Sequence, residues 1–452
     1  MKQKKQFQCQ NCSAVFSKWS GQCAECSEWN TIVETIVTGG GRRARFTPSA
    51  GAAPTVHTLA EVAPEEQPRL ATGIGELDRV LGGGLVAGSV VLLGGDPGIG
   101  KTTLLLQSLA ASKLINGVDS LFVSGEESTA QIALRAERLK LPLADLKVLA
   151  ETDVDRILAE TARERPALVV IDSIQSVYCD ELQSPPGSVA QVRECASRLV
   201  SFAKSTGTAL YLVGHVTKDG SIAGPRVLEH MVDATLYFEG DSGGRHRMIR
   251  AIKNRFGAIN ELGVFLMTDA GLQEISNPSA ILMSRHETPV PGSVTMVTRE
   301  GTRPLLVEVQ ALVDDSQLTN PRRVTVGLDP NRLSMLLAVL NRHGGVSTAG
   351  YDVFANIVGG VRVTETGADL AVLLAVLSSL RDRPLANDLV AFGEIGLAGE
   401  IRPVQGGPER LREAAKHGFR RALVPQGNAP KHPPMGMELT VVSRLADALQ
   451  VV

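Results

Sequence analysis

A chain of 452 residues, 43% hydrophobic and 4% aromatic, has room for about two to four domains and at least one large core. Its formal charge of −2 excludes an overall basic nucleic-acid binder, although residues 1–45 carry seven basic against three acidic side chains, an excess that suits phosphate contacts and a solvated tail equally. No apolar run approaches the ~18 residues of a membrane span and no signal-peptide core follows Met1, so a cytoplasmic protein with reduced thiols and no membrane partner is expected.

The first motif is a pair of C-x2-C knuckles, Cys9 with Cys12 and Cys23 with Cys26. Each knuckle presents two thiolates to one tetrahedral ion, and four thiolates close the coordination sphere, so the expected site is a structural Zn²⁺. A segment this short cannot bury a core, and metal binding would supply its folding energy, of order 10–16 kcal/mol. A redox dithiol is the competing reading, and it lacks the strand and helix that such a motif needs. Phe16, Trp19 and Trp29 are expected to cover the sulfurs. Trp19, beside Lys18, is alternatively a surface on which a base stacks. This finger takes residues 1–35. Residues 36–66 read as a linker, rich in glycine and proline, and order resumes near Arg69.

The core of the reading is the phosphate-loop pattern made by Gly95, Asp96, Pro97, Gly98, Ile99, Gly100, Lys101, Thr102 and Thr103. An apolar run over 90–93 predicts a buried strand before it, and an amphipathic stretch over 104–115 predicts a helix after it, closed by Asn116 and Gly117. Glycines let backbone N–H groups wrap a triphosphate, and the helix start adds its positive dipole end. Lys101 would reach the β/γ-phosphates and the Thr102 hydroxyl would sit on Mg²⁺. A chance glycine turn is the alternative, disfavoured by the flanking strand and helix.

Strands and helices then alternate: strands at 120–124, 146–150, 167–172 and 209–214, helices at 130–139, 154–163 and 189–205. This predicts a parallel α/β sheet with its site at the strand C-termini. Asp172 ends a four-residue apolar run and is the candidate to hold Mg²⁺ through water. Glu126, at the end of the 120–124 strand, is the candidate to orient and polarise the attacking water; its other reading is a helix N-terminal acid, a place Glu127 fills as well. His215 is either a γ-phosphate sensor or a structural residue. Loops at 180–188 and 217–225 project beyond Asp172 and His215 and are places where DNA contact is plausible. A strand at 247–252 leads into Lys253, Asn254, Arg255, Phe256 and Gly257. Two cations two residues apart on an extended segment face one way, as an arginine finger from a neighbouring subunit would, worth about 10³–10⁵ in rate; an ordinary basic hairpin end is the other reading.

Together, the C4 motif, the phosphate loop, the 253–257 block and the C-terminal region resemble the bacterial RadA (Sms) DNA-repair family over nearly the whole chain. One departure is Ala24, where the second knuckle often has proline. The resemblance implies a RecA-like P-loop ATPase core over 67–275, with ATP, Mg²⁺ and Zn²⁺ as cofactors and Glu126 in the catalytic-glutamate position. It also implies a hexameric ring acting as a motor on single-stranded DNA and branched recombination intermediates, with a RecA-type recombinase as partner. The region 285–452 resembles the α+β Lon protease domain, whose chemistry needs a serine activated by a lysine. The matching stretch here reads Gly367, Ala368, Asp369, Leu370, Ala371, and after Gly407 come Pro408, Glu409 and Arg410. Both halves of the dyad are missing, so a degenerate protease fold is expected, kept for oligomerisation or also for DNA binding. A DNA-dependent ATPase motor is therefore the leading expectation, and a nucleotide-switched module that assists a recombinase without translocating is the rival.

Overall fold

The computed structural model describes residues 4–9, 15–16, 18–24, 26, 28–29, 31–37, 68–215, 226–240, 245–283 and 288–451. Cys12, the linker from residue 38 onward and the loop at 217–225 lie outside the described residues. The chain divides into two units, one of residues 1–239, 245–259 and 265–274, the other of residues 240–244, 260–264 and 275–452.

At the N-terminus, β1 (Lys4–Cys9) pairs antiparallel with both β2 (Val15–Phe16) and β3 (Ile32–Val37). Cys9 stands opposite Ile32, and Phe7 opposite Phe16. Residues 36 and 37, read above as the start of the linker, are the end of β3 and pair with Lys5 and Lys4. The strand continues past the expected boundary because Ile32, Val33, Ile36 and Val37 are β-branched, a type that favours strands.

The P-loop core follows. After α1 (Gly75–Leu81) come β4 (Val90–Gly95), α2 (Lys101–Asn116), β5 (Ser120–Ser124), α3 (Thr129–Arg138), β6 (Lys147–Ala150), α4 (Val154–Glu164), β7 (Leu168–Asp172), α5 (Val189–Thr206), β8 (Ala209–His215), β9 (Ala234–Glu239), β10 (His246–Asn254), β11 (Leu262–Thr268) and β12 (Gly271–Glu274). They form a 9-stranded sheet in the order β12-β11-β10-β9-β4-β8-β7-β5-β6. Strands β6 to β9 in this order run parallel, as the sequence predicts. The wholly parallel expectation is corrected at the other edge, where β10 turns back antiparallel to β9 and β12 antiparallel to β11. These returns need only short turns, whereas each parallel pair needs a helical crossover.

Strand alternation divides the core into two layers. Val91 and Leu93 pack with Leu104, Leu105 and Leu109 of α2, whereas Val90 and Leu92 pack with Val192 and Leu199 of α5 and Ile157 of α4. A strand buried on both faces reads as an unbroken apolar run, which is why β4 is so plain in the sequence.

The second unit holds β13 (Ser293–Glu300), β14 (Arg303–Asp315), β15 (Arg323–Val326), α6 (Pro330–Gly344), β16 (Tyr351–Ile357), α7 (Asp369–Arg381), β17 (Leu389–Ala391), α8 (Gly407–Lys416), β18 (Arg421–Pro425) and β19 (Glu438–Val442). Its 7-stranded mixed sheet runs β15-β16-β14-β13-β17-β18-β19. Asp329 caps α6 through the N–H groups of Asn331 and Arg332, and Leu333, Leu336, Leu337 and Leu340 form its buried face. Helix α7 is apolar nearly all round, with Asp369 to Ser378 buried, because it lies inside this unit. Among the described residues, no helix is long and apolar enough to cross a membrane.

Candidate active site

The phosphate loop leaves β4 where the sheet ends. Gly98 (φ +76°) and Gly100 (φ +120°) take backbone angles that side chains rarely adopt, and a Cβ on Gly100 would lie 2.8 Å from Met267 Cε. Asp96, Pro97 and Gly98 form the exposed crown of the loop, while Ile99 and Thr103 turn inward. Lys101 is 5% exposed and donates to the carbonyls of Gly95 (2.7 Å) and Asp96 (2.9 Å). Burial lowers the pKa of its ammonium, opposed by the charges of Asp172, Glu126 and Asp96. From the antiparallel edge, Arg247, 9% exposed, donates to the Ile99 carbonyl at 3.1 Å and fixes the far side of the loop.

Register brings in the acids. Ser124, the last residue of β5, stands opposite Asp172, the last of β7, and the Gly125 N–H donates to the Asp172 carbonyl at 2.8 Å. Glu126 is therefore delivered next to Asp172 although 46 residues of chain, 172 − 126, separate them. Thr102 Oγ1 donates to Asp172 Oδ2 at 2.6 Å, so the two groups expected to hold Mg²⁺ already converge. A glycine-lined cradle, an ammonium at its centre and a hydroxyl–carboxylate pair at its side fit the triphosphate and the cation. The reading of Glu126 as a helix-start acid has little left to explain. Ser128 caps α3 by a capping box with Gln131, and Glu127 pairs with Arg135.

Lys253 and Arg255 lie at the opposite end of the sheet. Lys253 is opposite Thr235, which is level with Leu92, and the Asp233 N–H next to it bonds the Val90 carbonyl. That is about 10–17 Å along the strands from Gly95, three to five residues at about 3.3 Å per residue. Lys253 Nζ donates to the carbonyls of Glu229 and Val232 (2.8 Å to the latter), and Arg255 Nη1 pairs with Asp233 at 3.1 Å. Both cations thus face one region, but not their own phosphate loop. Burial, then the Arg255 charge, lowers the Lys253 pKa. The rest of the block is an anchor. Asn254 donates to the Val80 carbonyl at 3.2 Å, the Phe256 carbonyl accepts from Arg69 at 2.9 Å, and a Cβ on Gly257 would lie 2.8 Å from Gly82 Cα.

Sequence reasoning missed Asp233, Arg247 and Ser173. Asp233 is buried and accepts from the Val90 N–H, Lys204 and Arg255 at once. An acid just before an apolar strand was its only local signal. Loop 180–188 is knitted to α5 by the buried Gln191, which donates to the carbonyls of Cys179, Leu182 and Ser184.

In the N-terminal ribbon, the sulfurs of Cys9, Cys23 and Cys26 lie within 4.8 Å of one another, and those of Cys9 and Cys26 are 3.6 Å apart. Thiolates about 2.3 Å from a tetrahedral zinc sit about 3.8 Å apart, so these three fit the ion. Phe16 packs on the cysteine cluster as expected. Trp19 and Trp29 do not: they are 59% and 66% exposed, and both rings flank Gly21 instead. The Trp19 indole N–H donates to the Ile32 carbonyl at 3.0 Å, which holds the ring on the outside of the ribbon. Cys9→Ala should abolish stoichiometric zinc, measured by metal analysis of purified protein. Absence of zinc from the wild-type protein would sink the assignment.

Residues 7–34 match the rubredoxin metal binding domain, 58–221 the AAA domain, and 356–428 subunit ChlI of Mg-chelatase. The chain is 61% identical to DNA repair protein RadA of Pseudomonas aeruginosa, covering 99% of this chain and 98% of the relative. It is 57% identical to the RadA of Escherichia coli (99% and 98% covered) and 46% identical to that of Bacillus subtilis (99% and 98%). The chain belongs to the DNA repair protein RadA family.

In this RadA-family chain the two positions where a Ser–Lys dyad would stand hold ion pairs instead. Asp369, 2% exposed, is paired bidentately with Arg332, Nε to Oδ1 at 2.9 Å, and accepts the Ile395 N–H at 3.0 Å. Burial raises its pKa against the pull of Arg332. Arg410, 1% exposed, pairs with Glu365 at 2.6 and 2.8 Å and donates to the Gln405 carbonyl at 2.8 Å. Ser378 and Ser379 are occupied elsewhere, accepting from the N–H groups of Gly292 and Val313. Removing one partner of such a buried pair costs about 3–5 kcal/mol. Arg410→Ala should accordingly lower the melting temperature of this RadA-family chain by several degrees, read by calorimetry, while leaving zinc content unchanged.

Proposed function

We propose that the chain is an ATP-hydrolysing motor in recombinational DNA repair, acting as a hexameric ring on single-stranded DNA and driving branch migration. The observation that carries this reading is the convergence of Thr102, Asp172 and Glu126 on one strand end beside Lys101. Its relatives' name, DNA repair protein, supports DNA as the object acted upon.

In this reading Lys101 is held at the centre of the loop by the Gly95 and Asp96 carbonyls, where it would meet the β/γ-phosphates with little reorganisation. Thr102 and, through water, Asp172 hold Mg²⁺, which would neutralise charge on the transferring phosphoryl group. Glu126 orients the attacking water and takes its proton. Lys253 and Arg255 act on the site of the adjacent subunit, since both are directed away from their own loop. The C-terminal domain has no proteolytic role in this scheme and serves oligomerisation, and the zinc ribbon is structural.

A mixing experiment tests the shared site. Arg255→Ala and Lys101→Ala proteins should each be inactive alone. A random equal mixture should recover ATPase, because about a quarter of the subunit interfaces then contain both intact partners. No recovery in assembled mixtures counts against the shared site. DNA-stimulated ATPase without strand displacement would favour the nucleotide-switched module over the motor.

A further inference from the structure

We infer that Ser173, one residue beyond the Mg²⁺-site acid, is a positioning residue that aims the Glu126 carboxylate; the inference rests on the reading of Glu126 as the water-activating base. Ser173 is fully buried (0% exposed), yet its hydroxyl donates to Oε1 of Glu126, an exposed residue at the end of another strand.

Three further contacts fix the geometry of that bond. The Gly125 N–H ties the chain just before Glu126 to the Asp172 carbonyl at 2.8 Å. The Ile174 N–H, just after Ser173, donates to the Val213 carbonyl of β8 at 2.9 Å. The Ser176 hydroxyl donates to the Ser173 carbonyl at 2.7 Å and stands where a Cβ on Gly125 would lie, 2.0 Å away. Glycine at 125 is therefore what lets the ends of β5 and β7 approach closely enough for Ser173 to reach Glu126.

A flexible carboxylate at the mouth of a site samples several rotamers, and only those facing the water are useful. A donor anchored in the core selects one. It also joins the acid that holds the cation and the acid that handles water into one rigid element, so the two cannot move independently. The alternative is a buried serine that bonds the nearest oxygen with no effect on turnover.

The test uses the full-length assembled protein. Ser173→Ala should lower kcat for ATP by about 10- to 100-fold, the worth of a hydrogen bond to a charged group. KM, and Kd for a non-hydrolysable ATP analogue, should stay within about twofold, which separates aiming from binding. In a Glu126→Gln background the same substitution should have no further effect, since there is no base left to aim. Should Ser173→Ala fold poorly, Ser173→Cys fills nearly the same space with a weaker donor, and a several-fold loss of kcat at unchanged Kd is expected. Wild-type kcat in the folded variant overturns the inference. So does an equal loss of kcat and nucleotide affinity, or an undiminished effect in the Glu126→Gln background. If Glu126→Gln itself retains wild-type ATPase, the reading of Glu126 fails, and that outcome is distinct from a silent Ser173→Ala.

Discussion

Lys101→Ala is expected to reduce ATP turnover by at least about 10²–10³-fold, the scale seen when one preorganised donor to a transition-state oxygen is removed. Two effects add. The ammonium that would face the β/γ-phosphates is lost, and the carbonyls of Gly95 and Asp96, which it bridges at 2.7 and 2.9 Å, lose their shared donor. The first acts on chemistry and the second on the loop's conformation, so both kcat and nucleotide affinity should fall. The measurements are steady-state ATPase with single-stranded DNA and strand displacement on a branched substrate. Intact branch migration in this variant would defeat the motor reading even if the protein still binds DNA.

Glu126→Gln should lower kcat by about 10²–10⁴-fold, the usual span for a general base, while ATP affinity stays near wild type. Glutamine keeps the size and a hydrogen-bonding oxygen but cannot accept the water's proton. The variant should therefore bind ATP and stay in that state, visible as retained nucleotide after rapid desalting. The start of helix α3 does not depend on the Glu126 carboxylate. Helix α3 is capped by Ser128 and its nearby arginine, Arg135, is neutralised by Glu127. A wild-type rate would return Glu126 to the role of a surface acid and move the search for a base elsewhere.

Much of this site is legible in the residues because it is local. The phosphate loop needs nine consecutive positions, and a strand buried on both faces announces itself as an apolar run, so Lys101, Thr102 and the end of β7 at Asp172 follow directly. The three thiols of the ribbon follow from spacing in the same way. What could not be read depends on partners far apart in the chain. Asp233 matters because β9 lies beside β4, bringing it to the Val90 N–H and Arg255; Ser173 matters because Ser124 is in register with Asp172. Gly257 is needed for its approach to Gly82. The tryptophans of the ribbon show the opposite failure, since hydrophobicity alone suggested cover over the sulfurs, while a single indole N–H bond to Ile32 turns Trp19 outward. The Lon-like positions are a third kind, where absence of Ser and Lys was plain but the ion pairs replacing them required Arg332 and Glu365, each about 40 residues away.

The placement of Lys253 and Arg255 at the far end of the sheet has a consequence for concentration. In the proposed scheme a single chain carries one half of two different sites and never one whole site. Hydrolysis would then rise more steeply than the first power of protein concentration until assembly is complete, and simple dilution would act as an inhibitor. An organism that keeps this chain scarce would hold its activity near zero until copies are gathered on a common strand.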